Sequence, residues 1–280
     1  MRVLITGAGG QLGTDLAISF DGHDVIAFSH SELDVGDLDS CLQISEAEPE
    51  VIVHAAAYTD VDGCEADPDR AWRDNVTGSH NVAVAAKACK AFLIAISSDY
   101  VFDGTATKPY DEDTSPSPLG VYGKSKAAGE RAAMEANPDA TAIVRSSWIY
   151  GASGRNFVKT MLRLAADRQT LDVVDDQTGS PTWSLDLARA LIRIASSRRP
   201  GVWHATNAGA TTWFGFARKI FELSGLDPAR VRPTTTAAFA RPAPRPAYSV
   251  LGDRVWRQAG FPPMRPWEEA LREALPSISP

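Results

Sequence analysis

The chain has 280 residues, of which 44% are hydrophobic and 22% charged, with a formal net charge of −7. This composition suits a soluble globular protein of one large domain or two unequal lobes. The acidic balance argues against wrapping nucleic acid or an anionic membrane, although a local basic pocket could still take an anionic ligand. No apolar run approaches the ~20 residues of a membrane span. The start, MRVLITGAGG, enters a strand with no signal region, which points to the cytoplasm. Cys41, Cys64 and Cys89 are scattered and outside any CxxC spacing, as reduced thiols would be.

In chain order, Val3–Ile5 reads as a short buried strand, followed by glycine-rich sequence and a helix from Leu12 to Phe20. Asp24–Phe28 is a second strand, Cys41–Ala47 is helical in pattern, and Val51–His54 is a third strand. An alanine-rich helix is expected over Ala71–Ala88. A strand follows over Phe92–Ser97, then a helix over Lys124–Asn137 and a strand over Thr141–Arg145. Short β-branched runs alternating with helices imply βαβ units and a parallel sheet covered on both faces. The class is α/β, a doubly wound sheet of Rossmann type.

After Arg145 the alternation loosens. Helices are expected at Phe157–Ala166, Leu185–Ala195 and Phe214–Ser224, with strands at Leu171–Val174 and Gly201–Asn207. Of the 18 prolines, 13 lie from Pro138 onward, which suggests a smaller, loop-rich α/β substrate lobe built partly from insertions. The expected division gives residues 1–147 and about 170–200 to the dinucleotide domain. Residues 148–169 and 201–280 go to the substrate lobe.

Gly7-Ala-Gly-Gly10-Gln11-Leu12-Gly13 lies between the first strand and the first helix. A tight strand-to-helix turn needs backbone angles that glycine takes easily. The helix N-terminus then offers free N–H groups and a positive dipole end to a pyrophosphate. At the end of the second strand stands Ser29-His30-Ser31, without a carboxylate. Ser29 and His30 either accommodate a 2′-phosphate, favouring NADPH over NADH, or the serines simply cap the turn.

Ser97-Ser98-Asp99-Tyr100 directly follows the fourth strand, and Tyr122-Gly-Lys-Ser-Lys126 falls on the next helix. Residues four apart share a helix face. A lysine beside a phenol is expected to lower the phenol pKa, making Tyr122 a proton donor near neutral pH. The Ser98 hydroxyl, at a strand end where doubly wound sheets bind ligands, could donate to the same substrate oxygen. Each piece alone has an ordinary reading, a surface pair or a strand-end cap; the three in this order do not.

SSDYVFDG, YGKSKAAGE, RSSWIYG, NFVKTMLRLA, DDQTGSPTW and AAAYTDVDGCE together resemble the extended short-chain dehydrogenase/reductase family. Within that family they resemble the dTDP-4-dehydrorhamnose reductase group, over residues 1 to about 253. The resemblance implies a dTDP-sugar substrate, with Tyr122 as general acid, Lys126 as its partner on the nicotinamide ribose, and Ser98 in a position often held by threonine. It places Gly7, Gly10, Gln11, Leu12, Gly13, Ser29, His30, Asp34, Val35, Ala55, Ala56, Ala57, Thr59 and Asn75 with the cofactor, Asp34 and Val35 at its adenine. It places Ser98, Asp99, Tyr100, Trp148, Asn156, Gln177, Ser180, Pro181 and Arg245 with the substrate. Trp148 is a sugar-positioning ring or a core aromatic. Arg245 either meets a diphosphate or is solvated.

The implied reaction is reduction of the C4 ketone of dTDP-4-dehydro-L-rhamnose by NADPH or NADH. The alternatives are a reductase of another dTDP-4-ketohexose and a non-catalytic regulatory subunit that kept the fold. An epimerase or dehydratase would be expected to show an added acid/base pair after Ser98, where Asp99-Tyr100 stands instead. Some members of the group are thought to dimerise through magnesium held by carboxylates. Here Asp15 and Asp186 are the candidates and the final ALPSISP has none, so no metal is assigned and a monomer or weak homodimer is expected.

Overall fold

The computed structural model describes residues 1–278. Strand β1 (Arg2–Thr6) has four buried residues of five, the pattern of a central parallel strand covered on both faces. Helix α1 (Gln11–Ser19), β2 (Asp24–Phe28), α2 (Leu38–Leu42) and β3 (Val51–His54) follow. Next come α3 (Val61–Ala66), α4 (Pro68–Trp72), a π-helical turn over Arg73–Thr77, and α5 (Gly78–Ala88). Strand β4 (Phe92–Ser98), α6 (Val121–Ala136) and β5 (Thr141–Ser146) complete the regular half.

The remainder holds β6 (Ile149–Tyr150), α7 (Phe157–Asp167), β7 (Leu171–Val174), β8 (Thr178–Gly179), β9 (Thr182–Trp183) and α8 (Ser184–Ser197). It ends with β10 (Gly201–His204), β11 (Thr211–Thr212), α9 (Trp213–Leu223), β12 (Val231–Thr234), α10 (Arg254–Gln258) and α11 (Trp267–Ala274).

Six strands form one parallel sheet in the order β10-β5-β4-β3-β1-β2. From β1 the chain steps to one side for β2 and to the other for β3. The order therefore reverses at β1 and β3, and their carboxyl ends, Thr6 and His54 in register, open the crevice where such sheets bind ligands. Alternate strand residues feed two cores. Val3, Ile5, Val51, Val53, Ile94, Val144 and Trp203 pack with α1 and α8 on one face. Leu4, Ile52, Leu93 and Ile143 pack with α2 and α5 on the other.

A third core, around Val158, Leu171, Phe216, Phe221, Val231 and Trp267, belongs to the smaller lobe. There β7 pairs in parallel with β12 and not with the large sheet. This corrects the expected domain division. Gly201–His204, expected in the substrate lobe, is the edge strand of the large sheet, paired with β5. Leu171–Val174, expected in the dinucleotide domain, lies in the small lobe. Both are short apolar strands whose partners stand about 60 residues away, so composition could not assign them (Gly201 pairs Ala142 and Leu171 pairs Val231). The last two residues, 279–280, lie outside the described residues.

Two helices also differ in detail. The helix expected over Ala71–Ala88 is interrupted by the π turn at Arg73–Thr77. The helix expected from Lys124 begins at Val121, because Gly120 is extended at its N-cap and Glu65 accepts the Val121 amide at 2.8 Å. The earlier start puts Tyr122 in the first turn, at the cleft.

Candidate active site

The glycine turn is built for close approach. Gly7 has φ +74°, and a β-carbon there would stand 2.6 Å from the Ala56 amide nitrogen. A β-carbon on Gly13 would fall 2.2 Å from the Gly7 carbonyl oxygen. Gly10 caps α1 with no side-chain hydrogen bond, so the first amides of the helix are left for a ligand. Two cavities of about 530 Å³ each meet at Gly7, Gly10, Ala55 and Ala57. One extends past Ala56 and Val35 to Ser29, His30 and Ser31. The other runs past Gln11, Leu12, Gly13 and Thr59 to Ser98, Tyr122 and Lys126.

In the second cavity β4 and α6 converge. Ser98 caps a 3₁₀ turn by accepting the Tyr100 amide at 3.2 Å and donates to Asp99 Oδ1 at 3.0 Å. Tyr100 packs edge-on against Tyr122, ring centroids 5.6 Å apart. Lys126 is buried and its Nζ donates to the Ile96 carbonyl at 2.8 Å. Desolvation lowers its pKa to about 8, against the opposing charge of Glu130.

The phenol departs from expectation. Burial pushes the Tyr122 pKa up, the Ser98 hydrogen bond opposes this, and the Asp99 charge adds to it. Lys126 is tied to a backbone carbonyl and lies among none of these influences. Tyr122 is therefore an acid kept protonated by desolvation, and the expected lowering by Lys126 does not hold in this state.

Behind these groups stands a clamp that sequence reading overlooked. Glu130 and Arg145 form a buried ion pair, with side chains 6% and 3% exposed. Arg145 donates to Glu130 Oε1 at 2.9 Å and Oε2 at 2.7 Å, and Ser97 Oγ donates to Oε1 at 2.5 Å. The pair ties α6 to β4 and β5 immediately behind Ser98. Its signal was available: Glu130 is four residues past Lys126 and eight past Tyr122, on one helix face.

The opposite wall comes from the smaller lobe. Trp148 has φ +48°, uncommon outside glycine, and stacks on Trp213 with centroids 3.6 Å apart and planes within 8°. The backbone of Gly179 packs against the same indole, where a β-carbon would come within 2.5 Å. Trp213 thus covers one face of the ring expected to meet a sugar. Arg245 lines the cavity but gives two hydrogen bonds of 3.0 Å to Asp62 and one to the Ala243 carbonyl. Tyr100, Trp213 and Arg245 also border a further cavity of about 480 Å³, lined by Phe157, Met161, Val173, Gln177 and Phe239. Trp213, Arg155 and Val61 line the main cleft without having been expected there. Trp213 lies far along the chain, in no motif, and offered no signal.

Several expected residues lie away from the cavity walls. Asp34 hydrogen-bonds the Gly36 amide at 2.9 Å and pairs with Arg73, so it braces the loop beside Val35. Asn75 is buried and bridges the Tyr58 backbone to Ser125 Oγ at 2.9 Å. Asn156 caps α7 and donates to Gln11 Oε1 at 3.0 Å, joining the two lobes. Ser180 donates to the Gly209 carbonyl at 2.7 Å, while buried Pro181 leads into β9. Asp99, by contrast, lines the main cleft, buried with Oδ2 lacking a partner, and burial raises its pKa to about 6 against hydrogen bonds from Ser249 and Ser98. Asp15 accepts from Ser184, and Asp186 is held by Arg265 and Asn207. Among the described residues no cluster of three or more His, Cys, Asp or Glu could hold a metal.

The chain that folds into this crevice is similar to known proteins over nearly its whole length. The model of the RmlD substrate binding domain family covers residues 1–279. The chain belongs to this family. A dTDP-4-dehydrorhamnose reductase of Streptomyces griseus is 46% identical, the match covering 99% of this chain and 94% of that protein. A probable dTDP-4,6-dihydroxy-2-methyloxan-3-one 4-ketoreductase of Streptomyces antibioticus is also 46% identical, over 99% and 96%. The crystal structure of dTDP-4-dehydrorhamnose reductase from Bacillus anthracis in complex with NADP superimposes with a TM-score of 0.95 at 41% identity, covering 98% of both chains. The Bacillus anthracis protein thus shares the fold of this chain.

Proposed function

We propose that the protein reduces the C4 ketone of dTDP-4-dehydro-L-rhamnose to give dTDP-L-rhamnose, with NADPH as reductant. The carrying observation is the meeting of the Gly7–Gly13 turn with Ser98 and Tyr122 in one cavity, in a chain 46% identical to a reductase of that name. The turn fits a dinucleotide: two positions have no room for a β-carbon and the helix amides are uncapped. Gly7, Gly10 and Gly13 would hold the pyrophosphate, with Ala55, Ala57 and Lys126 along the nicotinamide half. Bound NADPH supplies the hydride.

The residues of the chain supply position and a proton. Tyr122, kept protonated by burial, gives its proton to the oxygen of the sugar as negative charge grows there. Ser98 sits beside that oxygen and donates its hydroxyl in place of its bond to Asp99. The ammonium of Lys126 keeps two N–H groups beyond its bond to Ile96, free to orient a ribose diol. The cavity beyond Tyr100, Trp213 and Arg245 has largely apolar walls with Arg168, Arg241 and Arg245 in its lining, suited to a nucleoside diphosphate.

The equally similar 4-ketoreductase supports a second reading, the same chemistry on a different dTDP-4-ketohexose. Purified protein is offered a panel of dTDP-4-keto sugars, and the loss of nicotinamide absorbance is followed. Stoichiometric oxidation with the rhamnose precursor, fastest of the panel, is expected. A faster rate on another sugar moves the assignment to that sugar. Dinucleotide binding with no turnover of any sugar would favour a regulatory subunit.

A further inference from the structure

At the far end of the dinucleotide crevice, β2 runs into a tight turn rather than a carboxylate in its own register. The Glu32 amide donates to the Ser29 carbonyl at 3.1 Å, folding residues 29–32 back on themselves. Glu32 Oε2 then accepts two hydrogen bonds from Ser29, 2.8 Å from the amide and 2.6 Å from the hydroxyl. Ser31 Oγ lies 3.0 Å from Ser29 Oγ. The turn abuts the glycine loop, since a β-carbon on Gly9 would stand 3.8 Å from Ser29 Cβ. Ser29, His30 and Ser31 line the same cavity as Gly7, Gly9 and Gly10.

The end of the second strand is where an adenosine ribose meets a dinucleotide fold, through its 2′-hydroxyl or its 2′-phosphate. Among the donors that line this end of the cavity, the amide and hydroxyl of Ser29 are already occupied by a carboxylate. The arginines nearby are also engaged. Arg73 pairs with Asp34 and Asp74, and Arg70 lies over the Tyr58 ring, 4.3 Å from its centroid, and reaches Asp74.

We propose that Glu32 sets the choice between the two nicotinamide cofactors. Its carboxylate takes the Ser29 donors that a 2′-phosphate needs, so NADPH binds by displacing it and NADH binds without doing so. The Ser29 hydroxyl and amide hold the Glu32 carboxyl below its ordinary range, which keeps it anionic at neutral pH. Two anions then compete for one set of donors. Because Glu32 is exposed, salt should weaken the competition.

This inference rests on the reading of the glycine turn as a dinucleotide site. The test measures dissociation constants of NADPH and NADH, by calorimetry without sugar, for the wild type and Glu32→Gln. The ratio of the NADPH constant to the NADH constant should fall about three- to tenfold in the variant, and fall less at high salt. Glutamine keeps a hydrogen-bonding oxygen and removes the charge at an exposed position, so folding is not at stake. An unchanged or higher ratio overturns the assignment of Glu32 alone. Failure of the wild type to bind either dinucleotide overturns the reading of the site itself, and this proposal with it.

Discussion

The two walls of the cleft are made differently. The sheet-side wall consists of the glycine turn, the end of β4 and the first turn of α6, all parts of consecutive βαβ units. The small-lobe wall joins Trp148, Gly179 and Trp213, with Arg245 held by Asp62 across 183 residues of chain. On the first wall, the residues proposed to do chemistry follow from spacing along one or two elements. On the second, each residue is placed by a partner far away in sequence. The first wall is preorganised by the buried Glu130–Arg145 pair, whereas the second is a half-buried aromatic stack that solvent reaches.

If that contrast is right, removing one partner of the clamp damages stability and chemistry together. Glu130→Ala leaves Arg145 buried and unpaired, which typically costs about 3–5 kcal/mol. Urea unfolding should show a loss of that size, accompanied by a fall in kcat. A neutral effect on stability would mean that the clamp does not organise the first wall. Trp213→Ala tests the second wall. It removes the ring that stacks on Trp148 and should raise KM for the dTDP-sugar by about tenfold, within the worth of a large aromatic contact. Cofactor affinity should hardly change. An equal loss of cofactor binding would show that the two walls are not separable.

A pH-dependent effect concerns Asp99, where the walls meet. Its folded pKa of about 6 lies above the ordinary 3.8, so the native state binds the extra proton between those values. The stability contributed by that proton is complete below 3.8 and is lost as pH rises through about 6. Asp99→Asn removes the dependence. The unfolding free energy of the variant relative to wild type should therefore improve by roughly 1–3 kcal/mol across that window, even as activity falls. A difference that stays flat with pH would show that the carboxyl is not desolvated as the structure has it.

Much of the first wall was legible in the sequence. The strand Asp24–Phe28 and the strand Val51–His54 stand where periodicity put them, and Ser98, Tyr122 and Lys126 face one cavity. Legibility stopped where structure depends on distant pairing. Gly201–Asn207 and Leu171–Val174 were read as strands but assigned to the wrong lobes, since a short strand carries no mark of its neighbour. The direction of the Tyr122 shift was missed because spacing reveals a nearby lysine but not that its amine points at the Ile96 carbonyl. Glu32 was passed over because the carboxylate reaches Ser29 only once the turn folds back.

The central claim is that the hydroxyl of Tyr122 supplies the proton in a cleft otherwise intact without it. The most direct measurement compares wild type with Tyr122→Phe for kcat on the dTDP-4-keto sugar, NADPH affinity and thermal unfolding. The account predicts a fall in kcat of about 10²–10⁴-fold with the other two quantities nearly unchanged. A variant that turns over at a rate near that of the wild type would contradict it.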